Sequence, residues 1–332
     1  MDTTAFIPNE ADEHLISQYR EFLPKKVFDA HMHMPLGVTI PSSQGKGVYF
    51  RDAFTPEDYL SDFGRFLPGV ETIRLNMMPH PADRIQADRT NGLRDLGNEH
   101  VFKMHDTHPE HVVCPYILPT DDEDFLAALA QRPGFRGFKC YAYSAPVEDP
   151  ESTCVSDYLP EAAWVVANEK RLPIILHLFR KGALADPINF NYITAMTKKY
   201  PNAQLVLAHC ARGFASWTMM KSIKALEDQG NIWFDLSAIC ESGPIAACIL
   251  KNAGKRTMWG SDYPASMLRG RAVSIGSGQS WLTIDPFPGP QQALLPVENL
   301  TAFYQAALLL DLDQTQIEDI FYNNAEALFR KA

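Results

Sequence analysis

The sequence predicts a (β/α)8 barrel, an α/β fold built from eight strand-helix units. Three observations carry this. Eight short apolar runs bounded by turn residues recur between residues 27 and 264, the pattern of buried strands. Helix-like segments with recognisable starts separate most of them. The first run leads into "MPLG" without a glycine-rich phosphate turn, which argues against the runner-up, an open doubly wound sheet. Near-continuous apolar strands alternating with helices need a parallel sheet covered on its outer face, and eight such units close into a barrel.

Residues 1–26 read as an N-terminal helical extension packed on the barrel, because Leu15, Ile16, Tyr19, Phe22 and Leu23 share one helical stripe that Pro24 stops. Residues 27–332 read as a single barrel domain. Its predicted strands are "VFDAHMH", "ETIRLNMMP", "HVVCPYILP", "FRGFKCYA", "LPIILHL", "AQLVLAHC", "NIWFDLS" and "TMWGSDYP". Thr55-Pro56-Glu57 offers an N-cap followed by proline at the first helical position, and Thr120 with Glu123 reads as a capping box. The longest connections, residues 34–54 and 265–295, are rich in Pro, Gly and Ser and overhang the same mouth as lids. Within the second, "GSGQS" lacks the Lys-Ser/Thr of a phosphate loop and reads as plain loop.

Apolar residues make up 46% of the 332-residue chain and charged ones 21%, as in a globular protein with a sizeable core. The formal net charge of −10, with no basic run, argues against nucleic-acid binding. The acidic N-terminus has no signal-peptide pattern and no stretch is long and apolar enough for a membrane span, so a cytoplasmic protein is expected. The six cysteines are scattered without a Cys-x-x-Cys pair, so they are expected as buried free thiols.

The polar residues fall at one address. In a strand the side-chain period is two, so His31 and His33 of "VFDAHMHMP" share a face and can converge on one point. An isolated His-x-His is more often an ordinary strand-end pair. Here, however, Lys139, His177, His209 and Asp262 also sit at carboxyl ends of predicted strands, where barrels place their active sites. Four of ten histidines and a carboxylate at equivalent strand ends point to a metal site.

The ordered set "FDAHMHM", "GFKCY", "IILHLF", "LVLAHCARG", "WGSDYP" and "FYNNAEALF", spanning residues 27 to 329, resembles the amidohydrolase superfamily and its amidohydrolase-related branch. The resemblance implies a metal-dependent barrel, usually hydrolytic and sometimes a nonoxidative decarboxylase. It implies His31, His33, His177 and Asp262 as ligands, with His209 beside the metal. Imidazoles and a carboxylate suit Zn²⁺, and Mn²⁺ or Fe²⁺ would also fit. Asp262 is then expected to shuttle the proton of the attacking water, and His209 to polarise the carbonyl under attack. One ion is favoured; two are expected if Lys139 is carboxylated and bridges them, as in binuclear members.

Lys139 otherwise reads as an ammonium that grips a substrate carboxylate. Arg180, Arg212, Arg269 and Arg271 follow the strand-end residues and offer planar forks for an anion, although loop arginines commonly pair with Asp or Glu. Tyr141 and Tyr143 share the face of Lys139 by strand parity, Trp281 is placed to cap the pocket, and His80 is a rim candidate. The expected partner is therefore a small anionic molecule, cleaved at a C–N or C–O bond of an amide or lactone. Metal-dependent decarboxylation is the alternative, a non-catalytic ligand-binding barrel is the third reading, and a homo-oligomer stays open.

Overall fold

The computed structural model describes residues 7–36, 40–41, 48–49, 53–80, 93–147, 149–227, 230–282 and 291–330. Each of the eight apolar runs contains a strand: β1 Lys26–His33, β2 Thr72–Met78, β3 Val112–Val113, β4 Phe138–Cys140, β5 Pro173–Leu176, β6 Gln204–Leu207, β7 Ile232–Asp235 and β8 Thr257–Met258. A helix follows every one of them: α2 Pro56–Phe63, α3 Leu93–Thr107, α4 Glu123–Leu129, α5 Glu161–Lys170, α6 Pro187–Lys199, α7 Met220–Ala225, α8 Ser242–Asn252 and α9 Leu295–Leu310, with α1 Glu10–Tyr19 ahead of β1. The strands are parallel and run in sequence order, β1–β2–β3 in one sheet and β4 to β8 in the other.

Hydrogen bonds carry the ring across both gaps between these sheets. Lys139 N donates to Pro115 O and Ile117 N to Lys139 O, each at 2.9 Å, between β3 and β4. Ala30 N donates to Trp259 O at 3.1 Å and Asp262 N to His31 O at 2.7 Å, between β1 and β8. The second seam needs Gly260, because a Cβ there would lie 2.8 Å from the Cβ of His31. From Val27 to His33, β1 is buried on both faces, which is why its sequence shows little polar alternation.

The caps explain where the helices begin. Thr55 caps α2 in a reciprocal box with Asp58, and Pro56 occupies the first turn as expected. For α4 the expectation fails: Asp122, not Thr120, is the cap, its carboxylate accepting from Phe125 N at 2.8 Å. Asp122 is the extended residue directly before the helix, and its charge faces the positive helix end. Helix α1 buries Ile16 and Tyr19 and packs against α9. Its Asp12 is fully buried and accepts from Leu294 N at 2.6 Å and from Arg269 at 2.8 Å.

The "GSGQS" stretch is also more ordered than expected. It forms the turn and start of an antiparallel hairpin, β9 Arg271–Ile275 with β10 Gly278–Leu282, turning through Gly276 at φ +56°. Within the first long connection, Ile40–Pro41 pairs with Val48–Tyr49. Parts of both expected lids, residues 37–39, 42–47, 50–52 and 283–290, lie outside the described residues. Among the described residues no helix is long and apolar enough to cross a membrane. All six cysteines are free.

One buried histidine away from the mouth contributes to the acid response. His111, just before β3, has an Nδ1 without a hydrogen-bond partner, and burial lowers its pKa from 6.5 to about 4. Below pH 6.5 the unfolded chain takes up a proton that the folded chain refuses, so stability falls as the pH drops toward 4. His111→Phe should flatten the dependence of Tm on pH across this window; an unchanged slope would assign the acid response to other groups.

Candidate metal centre

The carboxyl ends of β1 and β8 build the centre. His31 and His33 emerge from one face of β1 with ring centroids 5.2 Å apart. Asp262, at φ 55°, adopts the left-handed conformation that Asp tolerates better than most residues. One of its oxygens lies 3.5 Å from His31 Nε2 and 3.4 Å from His33 Nε2. Asp29 joins the two strand ends from below, accepting from Ser261 N at 2.9 Å, His31 N at 3.1 Å and the Tyr59 hydroxyl at 2.8 Å. Burial pushes the Asp29 carboxyl up to about 6 against those hydrogen bonds.

The other ring nitrogens are fixed. His33 Nδ1–H donates to the Pro79 carbonyl at 3.0 Å, and a carbonyl can only accept. His31 Nδ1 lies 2.7 Å from Asp235 Oδ2. Burial drives the His33 pKa down to about 3, so its ring is neutral and its Nε2 is a lone pair. Burial pushes Asp262 the other way, but His209, His33 and His31 beside it outweigh this and hold it below the usual carboxylate range. The His33 lone pair and an ionised oxygen thus face one another at 3.4 Å, and His31 Nε2 lies 3.5 Å from the same oxygen, both longer than a charge-assisted hydrogen bond. Two donors each about 2.1 Å from a tetrahedral ion stand about 3.4 Å apart. The donor set therefore fits a divalent cation in chemistry and in spacing.

Among the described residues, two groups bring three ligand atoms within 4.8 Å of one another: His31–His33–Asp262 and His31–His209–Asp235. His177 is in neither. Its ring packs on Tyr141, with centroids 4.5 Å apart, and on His209, at 4.8 Å, and its buried Nδ1 has no partner. Lys139 is fully buried with Nζ 3.4 Å from His31 Nε2, and burial lowers its pKa.

His209 begins an unusual turn. His209, Cys210, Ala211 and Arg212 are all left-handed, with φ of 55°, 51°, 58° and 59°. Non-glycine residues in this region store strain of about 1–2 kcal/mol each, which persists only where the surroundings enforce it. The ring's Nδ1 lies 3.1 Å from the Ser237 carbonyl, so Nδ1 carries the proton, and burial keeps the ring neutral. Its Nε2 then accepts and does not donate.

The four expected anion-binding arginines separate. Arg180 pairs with Asp186 at 2.9 Å and donates to the Ser152 carbonyl. Arg269 is committed to Asp12 and to the carbonyls of Ile7 and Gln292. Arg271 is held by Glu298 and the Cys240 carbonyl. Each of these three has a carboxylate within 3.2 Å and a backbone carbonyl in reach. Arg212 donates to the Arg180 carbonyl at 3.0 Å and lies 5.8 Å over the Phe179 ring, and its nearest carboxylate, the exposed Glu151, is more distant, at 3.8 Å. Around it Tyr141, Tyr143 and Phe179 form an aromatic wall, and Trp281 of β10 packs on Phe214, which stacks on His209. His80 packs 5.3 Å from His33, centroid to centroid.

The amidohydrolase family matches residues 28–331. The chain belongs to this family. A curated relative, the L-fucono-1,5-lactonase of Burkholderia ambifaria, is 25% identical over 191 residues, 52% of this chain and 62% of the lactonase. The chain thus matches less than two thirds of that relative's length. Among solved structures, a probable 2-pyrone-4,6-dicarboxylic acid hydrolase of Acinetobacter baumannii, with citric acid bound, superposes with a TM-score of 0.57 at 14% identity, covering 91% of this chain and 98% of that one. A 5-carboxyvanillate decarboxylase of Novosphingobium aromaticivorans, complexed with manganese, gives 0.51 at 14% identity, covering 80% and 77%. At such identities the likeness establishes the barrel. By name these proteins are enzymes: a lactonase, a probable hydrolase and a decarboxylase.

Two site residues escape a reading based on histidines and arginines. Asp235 and Ser237 of "NIWFDLS" stand two apart at the end of β7, as His31 and His33 do on β1. That parity was the available signal.

Proposed function

We propose that this chain is a metal-dependent hydrolase that opens a C–O or C–N bond, of a lactone or an amide, in a small anionic substrate. The carrying observation is the convergence of three ligand atoms, from His31, His33 and Asp262, within 4.8 Å of one another, with one Asp262 oxygen 3.4 to 3.5 Å from both ring nitrogens. His177, with its unpartnered Nδ1, is assigned as the fourth donor. When bound, a divalent ion there, Zn²⁺ by preference and Mn²⁺ or Fe²⁺ otherwise, acidifies water toward neutral pH and polarises the bond under attack. Asp262, held ionised, takes the proton of the attacking water and delivers it to the leaving oxygen or nitrogen. His209 accepts a hydrogen bond through Nε2 and orients that water. Arg212 holds the substrate carboxylate, and Lys139 adds a second positive charge if it is not carboxylated. The free thiols agree with a cytoplasmic setting.

Metal analysis tests this reading. The purified protein should carry close to one divalent ion, chelation should abolish turnover of a lactone panel, and His33→Ala should lose the ion while remaining folded. Full activity after exhaustive chelation would overturn it. Arg212→Ala should weaken an anionic competitive inhibitor about 10- to 100-fold while sparing its neutral analogue. Equal weakening of both would remove Arg212 from the anion site.

The aromatic wall of Tyr141, Tyr143 and Phe179 favours one other reading. A planar unsaturated acid would stack there, and the same ligands would then serve nonoxidative decarboxylation. Release of carbon dioxide without hydrolysis would establish that alternative.

A further inference from the structure

Strand β7 adds no donor to the His31–His33–Asp262 trio, yet its carboxyl end touches two of the site's imidazoles. Asp235 is buried, and each of its oxygens has a separate task. Oδ2 faces His31 Nδ1 at 2.7 Å. Oδ1 accepts from Ser237 N at 2.9 Å, from His209 N at 3.3 Å and from the Ser237 hydroxyl. With its proton given to Asp235, the Ser237 Oγ can only accept from His209 Nδ1, 2.9 Å away, as can the Ser237 carbonyl. A single short segment therefore dictates which nitrogen carries the proton in two rings. It also grips the first residue of the left-handed turn through the His209 amide.

We propose that Asp235 and Ser237 are the positioning residues of this centre, fixing His31 and His209 as Nδ1–H tautomers so that each keeps an Nε2 lone pair for the site. The role in metal affinity rests on the metal reading above; the tautomer assignment does not. It makes an unusual demand on position 235. In Asp235→Asn the amide oxygen must stay at the Oδ1 position, where three donors converge, so the amide NH2 falls opposite His31 Nδ1. An NH2 there donates, which drives the His31 proton to Nε2 and blocks that nitrogen. Size and packing are nearly unchanged. Only the direction of one hydrogen bond reverses.

The test is long-range ¹H–¹⁵N NMR of histidine-labelled, metal-free protein, together with Zn²⁺ affinity from chelator competition and circular dichroism as the check on folding. In the wild type, His31 and His209 should show protonated Nδ1. In Asp235→Asn, His31 should switch to protonated Nε2 and Zn²⁺ affinity should fall about 10- to 100-fold, as when a ligand's supporting hydrogen bond is lost. Ser237→Ala, which keeps the carbonyl, should leave His209 protonated at Nδ1 and weaken Zn²⁺ binding less. An Asp235→Asn variant with His31 still protonated at Nδ1 and undiminished Zn²⁺ affinity would overturn the proposal. So would a wild type with His31 protonated at Nε2, which decides the matter even if the variant does not fold. A wild type with the expected tautomers but no Zn²⁺ uptake would instead overturn the metal reading alone.

Discussion

Asp262→Asn should lower kcat by roughly 10²- to 10⁴-fold, the usual worth of a general acid-base group, with KM little changed. The Asp262 pKa lies below the usual carboxylate range, so in the wild type the group is ionised and can accept a proton. An amide in its place can still offer an oxygen to a cation but cannot accept that proton. The substitution is also mild for the backbone, because Asn tolerates the left-handed conformation found here at φ 55°. Asp262→Ala would add strain and confuse the result. Steady-state kinetics and metal content, measured on the same sample, separate the two roles. Loss of kcat with metal retained assigns Asp262 to proton transfer, whereas parallel loss of both assigns it to holding the ion.

The barrel was legible because its strands are short buried apolar runs bounded by turn residues, and because helix-like segments with readable starts, such as Thr55-Pro56 ahead of α2, separate most of them. The strand-end histidines were legible through parity and position. Other features depend on partners distant in sequence. Whether an arginine faces a pocket or a carboxylate is decided by which element packs beside it. Arg269 meets Asp12 from the other end of the chain, and Arg271 meets Glu298 of α9. The tautomer of His209 likewise depends on the Ser237 carbonyl across the strand gap, and no residue pattern reports the direction of a carbonyl. The hairpin of β9 and β10 was hidden because its turn chemistry looks the same in a structureless loop.

Trp259→Ala should destabilise the fold by about 3–5 kcal/mol, a large share of the usual margin. Trp259 is fully buried where β8 meets β1, with its carbonyl accepting from Ala30 N at 3.1 Å and its amide donating to Ile320 O at 2.9 Å. Its ring stacks on Phe321 with centroids 5.4 Å apart, and its Nε1–H donates to Asn299 of α9 at 3.1 Å. Truncation leaves a large cavity and unpairs the Asn299 Oδ1, while Trp259→Phe keeps most of the apolar volume and should cost less. Urea unfolding gives both values. The seam also sets Asp262 opposite His31 and His33, so the variant should lose Zn²⁺ affinity even where it remains folded. Trp164→Ala is the control: that side chain is equally buried, but it lies on α5 and bonds Tyr192 of α6, away from the seam. A similar loss of stability with metal affinity retained in Trp164→Ala would show that the β8–β1 seam itself holds the donors in register. Equal losses of affinity in both variants would mean that global loosening is enough to scatter them.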